Sequence, residues 1–127
     1  MKIECSVSLG ELVDKISILK VKKINIKDTH KLEYIEAEFT ALSKTLDELS
    51  LEKIEGLMDE LVRVNSALWK IEDEIRDKER EKTFDQEFID LARSVYKCND
   101  ERFAIKNKIN EFYGSGFREI KSYKKYQ

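Results

Sequence analysis

The chain has 127 residues, a formal net charge of −2, and 39% charged against 41% hydrophobic side chains. This length holds one domain and not two, and the hydrophobic share excludes a disordered chain. The lack of proline, with only four glycines, argues against a turn-rich sheet protein, so an all-α fold is expected.

The opening MKIECSVSLGELVDK holds no apolar run of signal-peptide length, and nothing further on is long enough to span a membrane. Ile3, Cys5 and Val7 alternate as a short extended segment would. Helix one is expected over about 9–24, with Ser8 as cap and Glu11 completing a capping box. Val7 and Leu12 sit at the positions of a hydrophobic staple. Its apolar residues, Leu12, Val13, Ile16, Ile18, Leu19, Val21 and Ile24, run round almost the whole circumference, which marks a helix covered on all sides.

NIKD then makes a turn, and Asp28 caps helix two, about 29–49. Leu32, Ile35, Phe39, Leu42, Leu46 and Leu49 give it one narrow stripe, so it packs from one flank. Lysines dominate from Lys15 to Lys31 and carboxylates from Glu33 to Glu60, and these blocks are expected to neutralise one another.

Helix three, about 51–80, carries Ile54, Leu57, Leu61, Val64, Leu68, Ile71 and Ile75. Helix four, about 84–113, is expected to open on a second capping box, Thr83 and Gln86. Its seam reads Phe84, Phe88, Leu91, Val95, Cys98, Arg102, Ile105, Ile109 and Phe112. Alternating steps of three and four sustained over this length are the signature of knobs-into-holes packing. Such helices span roughly 45 Å, and the short turn at 81–83 makes them an antiparallel hairpin. Positions whose numbers sum to about 164 then lie level, which puts Asn65 opposite Asn99. Gly114 and Gly116 stop the helix, and a basic tail fills 114–127. The expected architecture is an elongated antiparallel helical bundle built on the long hairpin, with the two shorter N-terminal helices packed on it.

One seam position is charged: Arg102. In a structural reading it pairs with a carboxylate while its aliphatic stem packs on the seam, and Asn65 and Asn99 pair across the hairpin; helix one brings Glu11, Asp14 and Lys15 to the same region. In a ligand reading the same side of the hairpin binds a small anion. Arg102, Arg93 and Lys106 are then the grips, Tyr96 and Trp69 wall a ring or sugar, and Glu72 is an acid or base, with Asn65 and Asn99 on the floor. No metal is expected: Cys5, Cys98 and His30 form no zinc ligand set, and consecutive Glu72, Asp73 and Glu74 point around the helix. No glycine-rich phosphate loop is present, and no cofactor is assigned. For nucleic acid, Lys20, Lys22, Lys23, Lys27 and Lys31 with the tail IKSYKKY supply charge and stacking rings. The acidic block of helix two, expected to face those lysines, argues against it.

Taken together and in this order, SLGELVDKISILKVKK, LWKIEDEIRDKE, FIDLARSVYKCNDERFAIKNKIN and EIKSYKKY resemble a family of short all-helical bacterial and bacteriophage proteins, a domain of unknown function. That resemblance covers nearly the whole chain and implies no catalytic residue. LWKIEDEIRDKE is more loosely similar to the first helix of the helical chorismate mutases, which grip a dicarboxylate with arginines and lysines between helices. That likeness would give the role to Arg76, Arg93 or Arg102 and supplies the enzyme alternative.

The sequence therefore points first to a non-enzymatic protein-interaction or self-assembly module in the cytoplasm, a homo-oligomer formed through helix one or the exposed edge of the hairpin. The alternative is a protein that binds or converts a small anionic metabolite, such as a phosphosugar, nucleotide or dicarboxylate. The third reading is nucleic-acid binding. No membrane partner is expected.

Overall fold

The computed structural model describes residues 1–117 and 119–124. Its four helices are α1 (Leu9–Asn25), α2 (Thr29–Glu48), α3 (Ile54–Glu81) and α4 (Gln86–Phe112). Together they form an all-α, elongated antiparallel bundle. Residues 1–7 are exposed and irregular, and Val7, the expected staple, stays 52% exposed. Ser8 caps α1 by accepting from the Glu11 amide, and Asp28 caps α2 by accepting from that of Lys31.

α3 and α4 form the hairpin, and two sets of ion pairs fix its register. Arg63 reaches Glu101 at 2.6 Å, and Lys78 reaches both Asp85 and Glu87 at 3.0 Å. All lie at the levels the sequence spacing sets. α3 starts three residues later than expected because Ser50 and Lys53 take left-handed backbone, and it ends at Lys82, again left-handed. The capping box predicted at Thr83 and Gln86 does not form. Asp85 is the cap of α4, accepting from the Phe88 amide, while Gln86 bonds Asp90. An aspartate two residues past the turn can also meet Lys78 across it, a contact the Thr83–Gln86 pair would lack.

α1 is the middle element. Its backbone runs close to α2, α3 and α4, whereas that of α2 comes close only to α1. Val13 and Ile16 of α1, Leu46 of α2, Ile54, Met58, Leu61, Val64 and Leu68 of α3, and Ile105 and Ile109 of α4 build one core. The all-round apolar character of α1 is thereby explained, since three helices cover it. Lys15 pairs with Glu38 at 3.5 Å and Lys23 with Glu36 at 3.0 Å, so the acidic block of α2 does face the lysines of α1. Cys98 packs against the core as a small hydrophobe, and burial pushes its thiol up. Among the described residues no helix is long and apolar enough to cross a membrane.

Candidate functional site

The polar groups of interest gather where the N-terminal half of α1 lies along the C-terminal half of α4. A helix start leaves amides without intrahelical acceptors, and α1 gives its own to α4 and the residues after it. The Leu9 amide donates to Ser115 Oγ at 3.1 Å, and the Gly10 amide to Asn110 Oδ1 at 2.7 Å. Gly10 permits the approach: a Cβ there would stand 2.6 Å from the Lys106 carbonyl oxygen.

The next residue, Glu11, does not close its capping box. Its carboxylate turns to α4 and meets Lys106 Nζ at 2.7 Å. Lys106, with a side chain only 7% exposed, also lies 2.8 Å from Oε2 of Glu119 in the tail. Burial works against the charge of Lys106, but the two carboxylates outweigh it and hold its pKa above the ordinary lysine value. The same balance acts on Glu119: burial disfavours its charge, and Lys106 and Lys121 more than compensate, lowering its pKa.

A further turn brings Asp14, 4% exposed, to Arg102. The contact is a bidentate fork, Nε to Oδ1 at 2.9 Å and Nη2 to Oδ2 at 2.5 Å. Asn65 Nδ2 adds a donor to Asp14 Oδ1 at 3.0 Å and another to Ser17 Oγ at 2.8 Å, while Ser17 Oγ donates to the Asp14 carbonyl at 2.6 Å. Asp14 thus has a cation and an amide, and its hydrogen bond to Arg102 raises the arginine's pKa. The charge on the seam is there because α1 lays a buried carboxylate beside it.

Asn65 and Asn99 do not pair across the hairpin. Asn65 turns to α1, and Asn99 Oδ1 only receives Arg102 Nη1 at 3.5 Å. A third helix carrying Asp14 and Ser17 offers Asn65 better partners than its opposite number does. Of the candidate binding residues, Asn65, Asn99, Arg102, Trp69 and Glu72 line a cleft of about 500 Å³ between α1 and the hairpin. Tyr96, Asn99, Arg102 and Lys106 line a second, of about 530 Å³, between α4 and the tail. Arg93 lines neither cleft and lies exposed beside Tyr96. Glu72 is tied to Arg76 at 2.8 Å. The sequence reading missed Gly10, Asn110 and Glu119, and the glycine in the first turn of α1 was the one signal for that docking.

Among the described residues no group of three His, Cys, Asp or Glu side chains is placed to hold a metal. Of the basic residues considered for nucleic acid, Lys23 is held by Glu36, and Lys125 and Tyr126 lie outside the described residues.

Fold and site together define a small helical bundle whose interior charges are matched by carboxylates of its own chain. Residues 1–126 match DUF6165, a family of unknown function, and the chain belongs to that family. No curated protein and no solved structure matches it.

Proposed function

We propose that this protein is a non-enzymatic self-assembly module of the cytoplasm, whose free hairpin half packs against that of a second copy. The observation that carries this reading is a break in burial. α3 buries side chains from Ile54 to Leu68, and α4 buries Ile105, Lys106, Ile109 and Asn110, yet no residue from 69 to 104 is buried. The seam does not stop with the burial. Ile71, Ile75, Phe88, Leu91 and Val95 keep the three–four spacing and remain partly exposed, with Phe84 at 56% and Ile89 at 47% beside them.

On one side of the hairpin Ile18 and Val21 of α1 share a cleft with Trp69, Glu72 and Arg76, and Leu68 is the last residue that α3 buries. Beyond that point two helices stand alone. Their free stretch is roughly 20–25 Å long and 20 Å wide, or about 400–500 Å² per partner, the size of a small interface rather than a standard one. A like hairpin in two-fold relation completes a four-helix bundle, and Glu72, Arg76 and Arg93 give the patch charges of both signs, as self-pairing requires. The unpaired Cys5 and Cys98 fit a reducing compartment. The internal matching of Arg102 and Lys106 supports a structural role for both rather than a catalytic one.

Sedimentation equilibrium tests the proposal. The wild type should sediment as a dimer and Ile89→Glu as a monomer of unchanged helix content, because Ile89 makes little contact within its own chain. A wild type that stays monomeric at every concentration overturns it.

A further inference from the structure

Glu119 differs from the other carboxylates of the charged interior. Glu11 and Asp14 stand on a helix, whereas Glu119 comes from the irregular segment after α4. Its Oε1 lies 2.7 Å from Lys121 Nζ and its Oε2 2.8 Å from Lys106 Nζ. Oε2 is buried and shares the Lys106 ammonium with Glu11 Oε1. The rest of the segment is fastened lightly, by the Tyr123 hydroxyl donating to Asp100 at 2.8 Å and by Lys121 over the Phe103 ring at 5.6 Å.

Glu11 and Asp14 answer Lys106 and Arg102 from the α1 side, Glu119 answers Lys106 and Lys121 from the tail, and Asp100, a fourth carboxylate at this spot, accepts from the Tyr123 hydroxyl. Beside the Glu119 carboxylate lies the 530 Å³ cleft, within the size range of small-ligand sites and walled by the rings of Tyr96, Phe103 and Tyr123. From this we infer a binding site for a small aromatic monocarboxylate, in which Glu119 is the resident occupant. An incoming carboxylate takes the place of Glu119 between Lys106 and Lys121, its ring enters the aromatic cleft, and the Glu119 side chain turns out to water while Lys121 and Tyr123 stay against α4. This site is separate from the self-assembly face, and its test does not depend on dimer formation.

Chemical rescue reads the site directly, with benzoate as probe, acetate as the ringless comparison and chloride at equal ionic strength as control. Glu119→Ala removes the occupant and should lower the melting temperature by a few degrees. Benzoate should restore it saturably and acetate less so, while chloride does nothing. Lys121→Met in the Glu119→Ala background should shift the benzoate titration to several-fold higher concentration without loss of fold. Ring-proton signals of Phe103 and Tyr123 should move along the same titration. If benzoate acts on Glu119→Ala no better than chloride, or if Lys121→Met leaves the titration unchanged, the inference is overturned.

Discussion

The two halves of the α3–α4 hairpin carry the same spacing of apolar residues and do different things with it. Near the chain's other helices, Leu61, Val64 and Ile109 are essentially sealed from water. In the free half, Ile75, Phe88 and Leu91 hold equivalent seam positions and are only partly covered. A heptad pattern therefore declares that a helix has a seam, but not how many helices close round it. The cover comes from α1, and α1 is shorter than the hairpin it lies on.

The largest expected effect tests that contrast directly. Leu61→Ala should destabilise the protein by about 3–4 kcal/mol, as for a fully buried leucine. Leu91→Ala, in a half-covered position, should cost about 1 kcal/mol in the monomer. Urea melts of both variants check this, and equal losses would mean that the free half is as well packed as the covered one.

Next in size comes Arg102. Arg102→Met should cost about 3 kcal/mol, because Asp14 stays buried with Asn65 and no cation. Asp14→Asn combined with Arg102→Met should recover much of that loss. A single variant at least as stable as the wild type would show that the arginine is kept for something other than its carboxylate.

The smallest effect belongs to the hairpin tip. The Phe88 amide, and then Lys78, lower the pKa of Asp85. A carboxyl with a depressed folded pKa stabilises fully above its unfolded pKa and loses that contribution as pH falls through the folded one. Protection of the Phe88 amide, taken relative to its intrinsic exchange rate, should therefore fall below about pH 4, while the amides around Leu61 stay protected. Asp85→Asn should remove the pH dependence.

Local spacing was enough to read some of this and not the rest. Register followed from the seam and the short turn, so Arg63–Glu101 and Lys78–Asp85 fall where expected. Ser8 and Asp28 were readable as caps because the acceptor and its amide lie three residues apart. Asp85 was not, since Thr83 and Gln86 present the same local pattern and only the reach of Lys78 across the turn decides between them. That Arg102 pairs with a carboxylate was legible, but not which helix supplies it. Asn65 was misassigned, because a comparison of two helices cannot see what a third will lay between them. Glu119 was out of reach because an irregular segment has no periodicity to place it.

The start of α1 has a consequence for how the chain is made. Its first amides are answered by Asn110 and Ser115, about a hundred positions later, and its carboxylates by Arg102 and Lys106. Synthesis from the N-terminus delivers α1 and α2 long before these partners exist. The earliest helix must then wait, with its apolar circumference uncovered and its Asp14 uncompensated, until the last helix emerges to finish it.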